Sequence, residues 1–325
     1  MLTSVTRAAI GAFALAAAIA PAAAQDFPKR NITMVVPFAA GGPTDIVARI
    51  VAEHMSRTLG QPVIIENVVG AGGTTGSTRA ARAPNDGHAI IMGHMGTHAA
   101  AVSLYSNLAY KPDTDFEAIG VAAGTPILIV ARKDIPAKDL KEFVAYAKAN
   151  NDKVNMAHAG VGSVSFTTCL LLNSILQTKP TQIPFNGTGP ALNALVGSQV
   201  DYMCDQVVNL VPHVTGGTIK ALAVGTPERN PSLPDVPTSK EAGLPEFQAS
   251  AWNALFAPKG TPKAVVDKLA DALDKALDDP AVRKRLLDLG SDIPGKDRRG
   301  PAALSTLVKS EIEKWSPILK GSAIN

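Results

Sequence analysis

Residues Ile32-Thr33-Met34-Val35-Val36 run into Pro37-Phe38-Ala39-Ala40-Gly41-Gly42-Pro43-Thr44-Asp45, and apolar positions follow at Ile46, Val47, Ile50, Val51, Met55 and Leu59. The first five are rich in β-branched side chains and read as a buried strand. The later positions recur at helical spacing and mark one face of a helix. Pro43 suits the first helical turn, where its missing N–H has no partner to lose, and Gly60 suits the stop. Strand, glycine loop and helix therefore follow one another within thirty residues of chain, roughly the size of one βα unit.

The same cycle recurs outward from there. Residues 63–65 read as a strand, 70–76 as a glycine loop, and a helix runs through Arg82. Residues 89–92 form a third strand, followed by Gly93-His94-Met95-Gly96-Thr97-His98. Three repeats predict an α/β fold with a parallel sheet and right-handed crossovers. A second set opens at 127–130, after Gly124-Thr125-Pro126. It continues with strands at 154–157, 181–185, 200–204 and 219–224, and with the loops Ala159-Gly160-Val161-Gly162-Ser163 and Asn186-Gly187-Thr188-Gly189. Residues 227–245 are Pro-rich and irregular. Beyond Ala251-Trp252 the pattern reads as helices only, one of them with Val265, Val266, Leu269, Leu273, Ala276 and Leu277 on one face. Two α/β units with trailing helices predict two lobes: 25–125 with 251–325, and 126–250.

The chain has 325 residues, 46% of them hydrophobic and 18% charged, a globular composition that excludes disorder and collagen. Lys and Arg exceed Asp and Glu by only three, and the longest basic run is Arg283-Lys284-Arg285. No clustered cationic footprint exists, so nucleic acid is not an expected partner. At the N-terminus Arg7 precedes an apolar run, and Ala22-Ala23-Ala24 fits a small-residue cleavage site, predicting an export signal over 1–24 cut after Ala24. Cys169 and Cys204 both lie in apolar contexts and read as buried free thiols.

Ligands of open α/β sheets sit beyond the carboxyl ends of the strands, and here those ends carry glycine. A glycine turn entering a helix exposes main-chain N–H groups at the positive end of the helix dipole, where an anion is the natural occupant. Neither G-x-x-x-x-G-K-[ST] nor G-x-G-x-x-G occurs, so phosphate and dinucleotide are disfavoured, and a carboxylate fits amides unaided by charge. Asp45 reads as a first-turn acid. Asp205, at a strand end, either accepts from a ligand amine or hydroxyl or caps the next loop; both readings stand. The competing enzyme reading has little to use: Ser163 lacks a G-x-S-x-G elbow, and His94, His98 and His158 are the only candidates for a metal-dependent or hydrolytic site. No cofactor is expected.

Val36-Pro37-Phe38-Ala39-Ala40-Gly41-Gly42-Pro43-Thr44-Asp45 resembles the opening signature of the Bug family, the periplasmic substrate-binding components of tripartite tricarboxylate transporters. The resemblance extends through Glu66-Asn67, Gly70-Ala71-Gly72-Gly73, Ala83-Pro84-Asn85-Asp86-Gly87, Asp115-Phe116, Gly160-Val161-Gly162-Ser163, Pro234-Asp235-Val236-Pro237-Thr238, Glu241-Ala242-Gly243-Leu244-Pro245 and Phe256-Ala257-Pro258. It implies a two-lobed periplasmic binding protein of the type II, Venus flytrap kind, with a small carboxylate in a cleft between the lobes. By that resemblance the first lobe would bind through Phe38, Ala40, Gly41, Gly42, Ala71, Gly72, Gly73, Thr74, Gly96 and Thr97. Thr125, Gly162, Ser163, Ser165 and Asp205 would complete the site, and closure would turn about segments near Thr125-Pro126 and Ser250-Ala251. Membrane subunits of the transporter, and a sensor kinase, are the implied partners. Two positions depart from the family pattern: Phe166 replaces a histidine, and Pro184-Phe185-Asn186-Gly187 replaces P-Y-K-G. Both remove polar or cationic groups, which leans the expected ligand toward longer or aromatic carboxylates over citrate.

Overall fold

A computed structural model describes residues 27–320. The expected export signal lies outside them. The opening stretch folds as read, with strand β1 at Ile32–Val36 and helix α1 at Pro43–Leu59. Gly42 caps α1 in extended conformation, and Gly60 ends it in the left-handed region at φ +70°, a conformation glycine reaches without Cβ strain. β1 is flanked in parallel by β2 (Val63–Asn67) and β3 (Ala89–His94). Helices α2 (Thr74–Ala81) and α3 (Ala101–Leu104) follow β2 and β3.

The next strand departs from the expectation. β4 spans Phe116–Arg132, seventeen residues, where only 127–130 read as a strand. Gly120, Gly124 and Pro126 look like loop punctuation, yet they sit in a strand whose register shifts twice against its neighbour. That neighbour is β9, Ser250–Pro258, in a region read as helices only. Its run from Ala251 to Ala257 is buried on both faces, so no alternation betrays it. β3, β9 and β4 pair antiparallel, and the purely parallel sheet of the sequence reading becomes a mixed one.

β4 pairs with β9 as far as Pro126↔Ser250, and from Ile127 onward with β7 (Tyr202–Gln206) and β8 (Ile219–Val224). The first lobe's strands thus run β2-β1-β3-β9-β4, and the second lobe's run β8-β4-β7-β5-β6, with β5 at Asn155–His158 and β6 at Thr181–Pro184. Second-lobe helices are α4 (Leu140–Asn150), α5 (Val164–Leu176), α6 (Thr188–Val196) and α7 (Val207–Thr215). The strand read at 200–204 lies two residues later, so Asp205 belongs to β7 itself.

Helices α8 (Lys263–Asp278), α9 (Pro280–Asp288) and α10 (Gly300–Leu319) end the described chain. α8 packs on α1 and β4 through the predicted stripe Val265, Val266, Leu269, Leu273, Ala276 and Leu277, and α10 packs on β4. The C-terminal helices therefore return to the first lobe. Cys169 on α5 and Cys204 on β7 are buried, free and face each other. Among the described residues, no helix is long and apolar enough to cross a membrane.

Candidate functional site

Two hollows lie between the lobes, sharing Phe38 and Ala159 in their walls. The outer one, about 340 Å³, is lined by Pro37, Val69, Gly70, Ala71, Gly72, Gly73 and Tyr105 from the first lobe, and by Gly160, Val161, Pro184, Phe185 and Asn186 from the second. The inner one is nearly shut, with only about 10 Å³ of free space, and is lined by Gly42, Pro43, Thr44, His94, Ser163, Val164, Ser165, Thr188, Asp205 and Gln206.

The inner lining has a common origin. Gly42, Pro43 and Thr44 open α1; Ser163, Val164 and Ser165 open α5; Thr188 opens α6; Gln206 is the residue before α7. Four helix N-termini, from both lobes, meet at one small hollow. Each helix leaves its first amides without intrahelical acceptors and carries a partial positive charge at that end. No Lys or Arg lines the hollow. The positive potential is therefore all main chain.

The side chains tune that field. His94 Nδ1 accepts from the amides of Gly96 (2.9 Å) and Thr97 (3.2 Å), which places the ring proton on Nε2. Burial pushes its pKa down to about 3, so the ring is a neutral donor stacked on Phe38. Asp205 is buried, and burial pushes its carboxyl up to about 6, against the opposing pull of the Gln206 amide (2.7 Å) and the Thr188 hydroxyl (2.8 Å). Each Asp205 oxygen accepts one bond and keeps acceptor capacity. Ser163 caps α5 by accepting from the Phe166 amide, and its hydroxyl meets that of Ser165 at 3.1 Å.

The structure sorts the residues singled out by sequence. Phe38, Gly42, Ser163, Ser165 and Asp205 meet at the inner hollow. Ala71, Gly72 and Gly73 line the outer one, while Thr74 turns its hydroxyl back to the Ala71 carbonyl. Ala40 and Gly41 are exposed, and the Gly41 amide is held by Asp45 at 2.9 Å. Asp45 does more than complement a dipole: it also binds Arg49 and Asn67, so it builds the loop. Although burial raises its pKa, the Arg49, Gly41 and Asn67 bonds hold it below the ordinary value. The Gly96 and Thr97 amides are taken by His94, and the Gly73 amide by the Gly70 carbonyl. Thr125 sits on β4 and binds Gln206, and Gly162 lies against Gly96 across the lobes. Several glycine-loop amides are thus taken by internal acceptors, while the helix starts converge on the inner hollow.

Thr44, Thr188 and Gln206 were not singled out. Thr188 opens α6 a few residues after β6, and Gln206 is the last residue of β7 directly before α7, a signal legible only once strand ends are known to converge. Phe166 packs on the His158 ring and lines neither hollow, so its difference from the family pattern does not reach the site. Of the enzyme candidates, His98 stacks on Phe256 at 4.0 Å and His158 accepts the Gly160 amide. Among the described residues no three His, Cys, Asp or Glu side chains gather as a metal site.

The chain is similar to known proteins. A model of the tripartite tricarboxylate transporter family receptor matches residues 47–324. An Agrobacterium vitis UPF0065 protein from the TAR-I ttuE-ttuC' intergenic region is 44% identical over 94% of this chain and 89% of its own. MatC from Rhodopseudomonas palustris, solved with bound malate, superposes with TM-score 0.88 and is 54% identical, covering 90% of this chain and all of that one. The periplasmic binding protein BugD superposes with TM-score 0.87 at 45% identity, covering 91% of this chain and 98% of its own. The two-lobed solute-binding fold is shared with them, and this chain belongs to the tripartite tricarboxylate transporter receptor family.

Proposed function

We propose that the chain is a periplasmic solute-binding receptor, not an enzyme, that captures a short dicarboxylate bearing a hydroxyl group and presents it to the membrane subunits of a tripartite transporter. The convergence of four helix N-termini on the inner hollow carries this reading. One carboxylate is held by first-turn amides together with the Ser163 and Ser165 hydroxyls. Asp205 repels a second carboxylate placed beside it but accepts a hydrogen bond from a hydroxyl, so it orients the ligand by its substituent. Several bonds to a charged group, at about 1.5–3 kcal/mol each, are enough for micromolar binding, about −8 kcal/mol, after association costs. The malate bound to MatC supports a short ligand over a long or aromatic one. Closure turns about the paired segments Thr125-Pro126 and Ser250-Ala251, where β4 changes partners.

Calorimetric titration with malate, succinate, citrate, adipate and benzoate tests the reading. Malate is expected to bind at least tenfold tighter than succinate. Binding of benzoate or adipate above malate would overturn the ligand class, and binding of none would overturn the receptor assignment.

A further inference from the structure

Tyr105, at the C-terminal end of α3 in the first lobe, places its hydroxyl between two main-chain carbonyl oxygens. One is Ala71 of its own lobe at 2.7 Å; the other is Val161 of the second lobe at 2.6 Å. The hydroxyl has one proton to share between them. Burial pushes its pKa up to about 12, so that proton stays in place across the physiological range. The same seam is tight on the neighbouring backbone. A Cβ built on Gly72 would overlap the Val161 carbonyl oxygen, and the Gly160 Cβ position lies 3.4 Å from the Gly72 Cα. The Tyr105 ring itself lies 3.0 Å from where a Gly162 side chain would begin.

We propose that Tyr105 and Gly72 form a clasp that holds the two lobes shut over the inner hollow: Gly72 provides the seat that lets the Val161 carbonyl come down, and the Tyr105 hydroxyl fastens it. Resting on the receptor reading above, this assigns ligand retention to residues that lie outside the inner hollow. Gly72 is glycine for contact as much as for conformation, since Ala71 beside it already adopts φ +44° with a side chain. Tyr105 is a positioning residue. Its removal acts on the rate of opening and leaves the approach of ligand to the open form unchanged.

Three variants separate the roles. Gly72→Ala adds a methyl group in the seam. Tyr105→Phe removes the fastening and keeps the ring. Gly60→Ala carries comparable backbone strain at φ +70° with nothing within 4 Å of its Cβ, and controls for strain alone. Small-angle scattering with and without saturating malate is expected to give Gly72→Ala the larger radius in both, and Gly60→Ala the wild-type values. Stopped-flow exchange of malate is expected to show Tyr105→Phe releasing it about tenfold faster with an unchanged association rate, the loss of one hydrogen bond. Gly72→Ala is expected to bind malate at least a hundredfold more weakly while melting close to Gly60→Ala. Equal radii for wild type and Gly72→Ala under both conditions, or an unchanged release rate in Tyr105→Phe, overturn the clasp. Failure of wild type to bind any carboxylate, with the order of radii kept, overturns the receptor reading and leaves the clasp standing.

Discussion

The Thr125 hydroxyl donates to Gln206 Oε1 at 2.7 Å. Thr125 lies on β4 where that strand still pairs with Ala251, and Gln206 is the residue that opens α7 at the inner hollow. Asn253 Nδ2, from β9, donates to the same oxygen at 2.9 Å. Both strands that cross between the lobes therefore hold one site amide, and with Oε1 doubly occupied its Nε2 group is turned the other way. Thr125→Val removes one of the two donors without changing side-chain shape. Stability by urea unfolding is expected to fall by about 1 kcal/mol, the usual worth of a hydrogen bond, and malate affinity to fall several-fold. Unchanged affinity would show that Gln206 orientation does not matter to the ligand.

Asp205 is held at a pKa of about 6, above the ordinary 3.8, by burial. The folded state then keeps its proton over a range where the unfolded chain has lost it. Its favourable contribution is complete below pH 4 and is lost as pH rises through about 6. Asp205→Asn is expected to gain stability relative to wild type across that window, by at most about 3 kcal/mol above pH 7. The same variant is expected to lose the preference for malate over succinate. Urea midpoints between pH 4 and 8, with parallel titrations, check both.

His98 behaves oppositely. Burial, with a smaller contribution from neighbouring His94, pushes its pKa down to about 3, and Nε2 is buried without a partner. Protonation is thus favoured in the unfolded chain, and stability present above pH 6.5 is lost as pH falls toward 3. His98→Phe keeps the stacking on Phe256 and Phe116 and cannot be protonated. Its urea midpoint is expected to fall less steeply than that of wild type between pH 6 and 4. Equal slopes would place the acid sensitivity in His94 or His158.

Asp45 anchors the Gly41 amide, Arg49 and Asn67, and Asn67 in turn donates to the Phe38 carbonyl. Asp45→Ala leaves a loop amide and a part-buried carboxamide short of partners, and is expected to cost about 2–3 kcal/mol at pH 7. Because its bonds lower its pKa, its contribution is present above the ordinary carboxylate range and fades as pH falls below it. The difference between variant and wild type is therefore expected to shrink in acid unfolding curves.

Local pattern alone was enough for the βα units, the start and stop of α1, the apolar face of α8 and the family signature, because each depends on residues adjacent in sequence or one helical turn apart. β9 was illegible for a physical reason: a strand buried on both faces has no alternation, and its partner β4 is punctuated by glycines and a proline that read as loop. The site divides the same way. Glycine loops at strand ends point to an anion site, but which amides are free depends on internal acceptors such as His94 Nδ1 and the Asp45 carboxylate, and those bonds exist only after folding. The sequence by itself determined the βα units and most helices, since propensity and periodicity act over a few residues. Only the tertiary structure decided that four helix N-termini share one hollow and that Tyr105 reaches Val161, because those contacts join segments tens of residues apart through the packing of two lobes.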